Sequence, residues 1–218
     1  MRRLRSDCPS PRPLSRAKSR DDHRQVIRVS TSLGTKGGGV RLLGAVIAGG
    51  QSRRFGSDKA VAPVDGRPLA AHVIEGLEPQ VEKLVMCGRE WPGMTMLADR
   101  PENGQGPLGG ICAALHHAQD QGFDAVLTAG CDTLPVPERL AGLLGYKTGV
   151  IKDQPLFGFW PASMASLLDH WLKDQPRRDM RGWIEQSGAH EVETDIAFSN
   201  LNTQDDYAQF KAQRGLRL

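Results

Sequence analysis

From Leu42 the chain runs Leu-Leu-Gly-Ala-Val-Ile-Ala without a polar side chain and then stops at Gly49-Gly50. Apolar at every position rather than at alternate ones, this run predicts a strand buried on both faces that feeds a glycine turn. Pro68 to Glu78 opens with proline at a helix-entry position and places Leu69, His72, Val73, Gly76 and Leu77 near one face; Lys83 to Met86 predicts a second short strand. Strand, helix and strand in that order make a βαβ unit. A second helix opens at Gly106-Pro107, where Leu108, Ile111, Cys112, Leu115 and Ala118 recur at spacings of three and four and form a stripe that faces a sheet. Asp124 to Ala129 predicts the next buried strand, and Gly130 to Pro137 a loop at its carboxyl end. Further strands are expected near Thr148 to Lys152 and Leu156 to Trp160, with helices over Ala162 to Lys173 and Gln204 to Arg214. No internal repeat is present.

The alternation of strands and helices indicates an α/β domain, and 218 residues suffice for one core. Charge divides the chain. Residues 1 to 41 hold 11 basic and 3 acidic side chains, which leaves 17 basic and 22 acidic for the rest. The net positive charge therefore belongs to a Pro/Ser/Gly-rich leader, and residues 1–40 are expected to be a disordered extension, with a faint likeness to an organellar transit peptide, ahead of a domain at 41–218. Basic clusters confined to such a leader argue against a nucleic-acid face. No apolar run reaches the length of a membrane span, and a cytoplasmic protein is expected. Cys8, Cys87, Cys112 and Cys131 are scattered without a Cys-x-x-Cys pair, so neither a zinc cage nor a disulfide framework is indicated. The adjacent His116 and His117 point about 100° apart on a helix and are not expected to chelate a metal as a pair. The four tryptophans are read as core or edge packing.

Four segments carry chemistry. Directly after the first strand comes Ala48-Gly49-Gly50-Gln51-Ser52-Arg53-Arg54-Phe55-Gly56-Ser57-Asp58-Lys59. Its glycines allow backbone N–H groups to turn inward on an anion, and Arg54 and Lys59 add mobile positive charge suited to a triphosphate. It is neither Gly-x-Gly-x-x-Gly nor a Walker A sequence. Gly106-Pro107-Leu108-Gly109-Gly110, preceded by Asp99, Arg100 and Pro101, makes a glycine-rich helix entry with free donors for a base edge or a phosphate. In Cys131-Asp132-Thr133-Leu134-Pro135, a carboxylate just past a buried strand can hold Mg²⁺, or simply cap the following turn. In Phe198-Ser199-Asn200-Leu201-Asn202-Thr203, alternation puts two amides on one side of an extended segment, while Asn202 or Thr203 can also cap the last helix.

Taken in order from about Leu42 to Phe210, these segments resemble the MobA family of molybdenum cofactor guanylyltransferases, within the sugar-nucleotide type of nucleotidyltransferases. The resemblance implies a single Rossmann-like, three-layer α/β domain with a mostly parallel central sheet. It implies an enzyme that transfers GMP from GTP to the terminal phosphate of molybdopterin and releases pyrophosphate. Its partners would be GTP and the molybdopterin or molybdenum cofactor, with cofactor-delivering and acceptor molybdoenzyme proteins beyond them. The implied GTP contacts are Ile47, Ala48, Gly49, Gly50, Lys59, Asp99, Gly106, Gly110 and Asp132. Catalysis would rest on Arg54, Lys59 and Asp132, Mg²⁺ on Asp132, and pterin binding on Asn200 and Asn202. Two departures stand out: Cys87 occupies a position where some members have a nucleotide-contacting Asn after the second strand, and Gln154-Pro155 replaces a frequent His-Pro. The competing functions are cytidylyl transfer to the same pterin, for which Ala-Ala-Gly would be usual in place of Ala48-Gly49-Gly50, and noncatalytic nucleotide binding.

Overall fold

The computed structural model describes residues 39–49, 59–174 and 178–215. In chain order the elements are β1 (Leu42–Ile47), the hairpin strands β2 (Pro63–Val64) and β3 (Arg67–Pro68), α1 (Leu69–Leu77), β4 (Lys83–Cys87), β5 (Thr95–Leu97) and α2 (Pro107–Gln121). They continue with β6 (Ala125–Gly130), β7 (Thr133–Leu134), α3 (Leu140–Leu143), β8 (Gly149–Ile151), β9 (Gln154–Pro161), α4 (Ala165–Asp174), α5 (Met180–Ser187), β10 (His190–Val192), β11 (Ser199–Asn200) and α6 (Gln204–Gly215).

Seven strands form one sheet in the order β10-β8-β9-β6-β1-β4-β5. β1 lies between β4 and β6 and is parallel to both, which is why all six of its residues are buried. The predicted two-sided burial of Leu42 to Ile47 thus follows from its central place, with a layer of helices on either face. β9 alone runs against its neighbours β6 and β8. The cause is local: only Lys152 and Asp153 separate β8 from β9, with Asp153 at φ 64°, and a two-residue link can join only antiparallel strands.

Side chains alternate across β1. Leu43, Ala45 and Ile47 face α2 and α4, in a core that includes Ile111, Leu115, Leu168, Trp160 and Trp183. Leu42 and Val46 face the opposite layer, with Val73 and Leu77 of α1 and Leu140 of α3. The predicted stripe of α2 is fully buried, and so are Gly109, Gly110, Ala113 and Ala114, because this helix is wedged between sheet and α4 rather than laid on the sheet alone. Trp160 and Trp183 are core residues, as expected for packing tryptophans, and stack against each other at 6.2 Å between ring centroids.

Several boundaries differ from the sequence reading. The helix expected from Ala162 begins with a 3₁₀ turn and becomes α-helical at Ala165. The loop expected over Gly130 to Pro137 contains a short strand, β7, which pairs with β11 and brings the Asn200 segment against the end of β6. β5, α5 and β10 have no counterpart in the sequence reading. Among the described residues no helix is long and apolar enough to cross a membrane.

Candidate active site

The carboxyl ends of β1, β4 and β6 meet at one rim of the sheet, the edge at which open α/β sheets bind ligands. Gly49 follows β1, Gly88 follows β4, and Asp132 lies just past β6. Three backbone bonds stitch these ends together: Ala48 N–H donates to the Cys87 carbonyl at 3.0 Å, Cys131 N–H to the Ile47 carbonyl at 3.1 Å, and Gly88 N–H to the Leu97 carbonyl at 2.9 Å. The rim is therefore an extension of the sheet's own ladder, and side chains leaving it inherit the sheet's rigidity.

Lys59, on a 3₁₀ turn, reaches the rim with its side chain. Its Nζ donates to Asp132 Oδ2 at 3.0 Å and to Asn202 Oδ1 at 2.8 Å. The Thr133 hydroxyl donates to Asn200 Oδ1 at 2.8 Å, and Leu201 N–H to the Asp132 carbonyl at 2.9 Å. Residues 73 and 143 positions from Lys59 thus converge on one ammonium group. The Lys59 and Asp132 side chains are 16% and 24% exposed, so the pair is partly withdrawn from water yet reachable from it.

The Asn200 segment is locked from both sides. β11 pairs with β7, and Thr203 caps α6 reciprocally: Asp206 N–H donates to the Thr203 hydroxyl at 3.1 Å, while Asp206 Oδ2 accepts from the N–H groups of Thr203 and Asn202 at 2.8 and 3.0 Å. The Thr203 hydroxyl, both backbone N–H bonds and the Lys59 charge together hold the Asp206 carboxyl below its ordinary range. Asn200 thus meets the Asp132 loop through Thr133, Asn202 meets the Lys59 ammonium group, and Thr203 serves as the cap.

Across the rim, Asp99 follows β5. Its Oδ2 accepts from Gly104 N–H at 3.2 Å, while its Oδ1 is buried and has no hydrogen-bond partner among the described residues. A Cβ built on Gly49 would lie 3.6 Å from that Oδ1, so Asp99 stands over the end of β1. Burial raises its carboxyl above the ordinary 3.8, against the lowering effect of the Gly104 and Gln105 N–H groups. The α2 entry packs beneath it: a Cβ on Gly109 would meet the Cβ atoms of Gln105 and Asp99 at 2.7 and 2.8 Å. Gln105 is itself buried and accepts from Arg178 at 2.7 Å.

The rim thus brings together Ile47, Ala48, Gly49, Lys59, Asp99, Asp132, Asn200 and Asn202, with Gly106 capping α2 at φ 63°. Gly50 and Arg54 lie outside the described residues. Gly110 does not belong to the rim's surface: it is buried, and a Cβ there would meet Cys87 and Ile47, so its glycine lets α2 sit close on β1 and β4. Cys87 likewise turns into the core, fully buried, with its thiol pushed up to about 12 by that burial and by Asp99. The residue of this strand end that faces the rim is Gly88, which the sequence reading passed over. Its φ is 83°, and a Cβ there would lie 2.4 Å from Gly49 Cα. A glycine straight after an apolar strand, the same signature that marked Gly49, was the available signal.

The MobA-like NTP transferase domain profile matches residues 44–192, a span that holds Lys59, Asp99 and Asp132. A molybdenum cofactor guanylyltransferase of Cereibacter sphaeroides is 37% identical over 185 residues, covering 78% of this chain and 95% of that protein. One from Mesorhizobium japonicum is 32% identical, covering 77% and 93%. Among solved structures, the molybdopterin-guanine dinucleotide biosynthesis protein A of Archaeoglobus fulgidus superposes with a TM-score of 0.66 at 24% identity, over 79% of this chain and 98% of that one. With its sheet order, its rim and a match over more than half its length, the chain belongs to the MobA-like NTP transferase family.

Proposed function

We propose that the chain transfers GMP from GTP to the terminal phosphate of molybdopterin. A phosphate oxygen of the pterin bonds to the α-phosphorus, the bond from that phosphorus to the bridging oxygen breaks, and pyrophosphate leaves. The observation that carries this reading is the double hydrogen bond of Lys59, which joins the nucleotide-side carboxylate Asp132 to the segment bearing Asn200 and Asn202. One cation thereby stands between the two places where anionic reactants must meet.

The nucleophile is already an anion, so no general base is needed; the obstacle is repulsion between two polyanions. Lys59 lowers that repulsion with fixed charge in a partly desolvated position, and Arg54 is assigned the same role from the sequence. Asn200 and Asn202 supply amides that bind phosphate or pterin heteroatoms without adding charge. Residues 41–218 make up the catalytic domain in this reading.

Asp99 favours guanine. An ionised carboxylate only accepts hydrogen bonds, and guanine offers two neighbouring donors, N1–H and the N2 amine. Cytosine sets one amine beside two acceptors, which the same carboxylate would repel. The buried Oδ1, without a hydrogen-bond partner among the described residues, suits the guanine edge and disfavours CTP.

A divalent ion fits the donor set at Asp132: the carboxylate, the Thr133 hydroxyl and the Asn200 amide oxygen are hard oxygen ligands of the kind Mg²⁺ takes. Asp132 would hold it, and when bound it would neutralise triphosphate oxygens. The test is a screen of purified protein with the four nucleoside triphosphates, molybdopterin and Mg²⁺. Pyrophosphate release with GTP and a guanylylated pterin product are expected; release with CTP instead, or none with any nucleotide, would overturn the assignment.

A further inference from the structure

Away from the rim, three metal-capable side chains of different chemistry meet between α2 and α4. Cys112 and His116 lie four residues apart and so share one face of α2, and Asp169 projects from α4. Their donor atoms all lie within 4.8 Å of one another. Cys112 Sγ is 3.9 Å from Asp169 Oδ1, and His116 Nε2 is 3.8 Å from the same oxygen. Among the described residues this is the one such cluster of three.

We propose that Cys112, His116 and Asp169 form a binding site for Zn²⁺ or a similar thiophilic divalent ion, clipping α2 to α4. Donors held at about 2.0–2.3 Å around a tetrahedral ion stand roughly 3.3–3.8 Å apart, so the separations seen need to close by only a few tenths of an ångström for two of the pairs. His116 Nε2 is buried and has no hydrogen-bond partner among the described residues, which leaves a lone pair or a proton uncompensated unless something occupies the space it faces. Asp169 Oδ2 is taken by Lys173 at 2.6 Å, which fixes the carboxylate and aims Oδ1 at the other two donors, the supporting hydrogen bond that metal-ligating carboxylates require.

Ligand softness separates this site from the one at Asp132. Thiolate and imidazole suit Zn²⁺, whereas Mg²⁺ takes oxygen ligands and parts with its water reluctantly. Binding breaks the Cys112 S–H bond and forms a sulfur–metal bond, and the proton goes to water. Thiolate and carboxylate then balance the dication, and the nearby Arg100 and Lys173 remain as outer charges. The ion has a way in, since the His116 and Asp169 side chains are 20% and 12% exposed. Neither the adjacency of His116 and His117 nor the spacing of the cysteines points to this cluster, because Cys112 and His116 become a ligand pair only once α4 brings Asp169 to them.

The full chain, stripped with chelator and kept under reductant without oxygen, would be titrated with Co²⁺. One equivalent should produce a thiolate-to-cobalt charge-transfer band with d–d bands of tetrahedral intensity, and Zn²⁺ should abolish both while excess Mg²⁺ does not. C112S should lose the charge-transfer band, H116A should weaken Co²⁺ binding by at least about tenfold, and C131S should behave as the unaltered chain. Zn²⁺ should raise the thermal midpoint of the unaltered chain and not that of H116A, which keeps the test decisive if C112S folds poorly. Absence of a saturable band would overturn the proposal and leave the cluster a metal-free hydrogen-bonded contact. A band that survives C112S and disappears in C131S would also overturn it, by placing the ion at the rim loop.

Discussion

Replacing Asp99 by Asn tests the base-recognition argument at its most exposed point. Gly104 N–H donates to Oδ2 at 3.2 Å, so in D99N it would hold the amide oxygen on that side and leave the NH₂ group where Oδ1 stands. A donor would then face guanine's donors. The loss is at least one charge-assisted hydrogen bond, about 1.5–3 kcal/mol, which corresponds to roughly 10- to 150-fold in GTP affinity. The assay is steady-state guanylyl transfer with GTP and with inosine triphosphate, which lacks the N2 amine. The unaltered chain should prefer GTP clearly, and D99N should raise the KM for GTP and narrow that preference. An unchanged GTP to ITP ratio in D99N would refute the placement of Asp99 on the guanine edge. The same carboxylate sets a pH dependence. Burial raises its pKa above 3.8, so as pH falls it takes up a proton earlier than an ordinary aspartate, and GTP affinity should fall with it; in D99N this dependence should vanish. Stability of the free protein responds with the opposite sign. An acid whose folded pKa is raised binds its proton more tightly when folded, so its unfavourable contribution is largest above that pKa and is relieved as pH falls.

K59A and D132A should each lower turnover by roughly 10²-fold or more while leaving far-ultraviolet circular dichroism unchanged, as removal of one electrostatic group at a phosphoryl site commonly does; near-normal turnover in both would contradict the site assignment. G88A should destabilise by at least about 1–2 kcal/mol through its left-handed backbone alone, a drop of about 2–8 °C in Tm, and should also weaken GTP binding because the added methyl would push on Gly49; an unchanged melting curve would refute the close approach of the two strand ends. Deletion of residues 1–39, which spares the core-packing Val40, should leave Tm and turnover as they were. Deletion through Arg41 should not, because Arg41 bonds to Asp124, Gly122 and Glu82; a loss of folding in the shorter deletion would show that the leader belongs to the domain.

The sequence made legible what local pattern determines. β1 was readable because every residue is apolar and β6 because all but Thr128 are, and α2 because its stripe repeats at helical spacing. Lys59 and Asp132 were each visible in a segment that follows a buried strand, and the two side chains meet at 3.0 Å, while Arg54, assigned to the same site, lies outside the described residues. What stayed hidden depends on partners distant in sequence or on elements with little apolar content. β5 is an edge strand of three residues with Met96 exposed, so no alternation could develop. In α5 only Trp183 is fully buried, and one anchor does not make a stripe. The antiparallel course of β9, by contrast, was implicit in the short gap between the strands expected at Thr148 to Lys152 and Leu156 to Trp160, since a parallel crossover needs about a dozen residues or more. The packing of Gly110 against Cys87 and Ile47 stayed hidden because a glycine that admits a ligand and one that admits a neighbouring strand read alike in sequence.

With the metal held at Asp132 as proposed, the Lys59–Asp132 contact would couple metal binding to nucleotide binding. A partly exposed pair of this kind contributes little net stability, since Coulomb attraction and desolvation nearly cancel, so its value lies in position. While Lys59 donates to Asp132, the carboxylate's charge is partly matched and its affinity for a divalent ion is reduced. A triphosphate offers Lys59 another anion, and any exchange of partner frees Asp132 Oδ2. GTP and metal should therefore each bind more tightly in the presence of the other, by one reciprocal factor. K59M removes the competing cation. In titration calorimetry without nucleotide it should bind Mn²⁺ more tightly than the unaltered chain, and the enhancement by GTP should shrink. If K59M instead bound Mn²⁺ more weakly, with Asp132 intact and the fold unchanged, Lys59 would be organising the metal site rather than competing for it, and the exchange of partners would have to be abandoned.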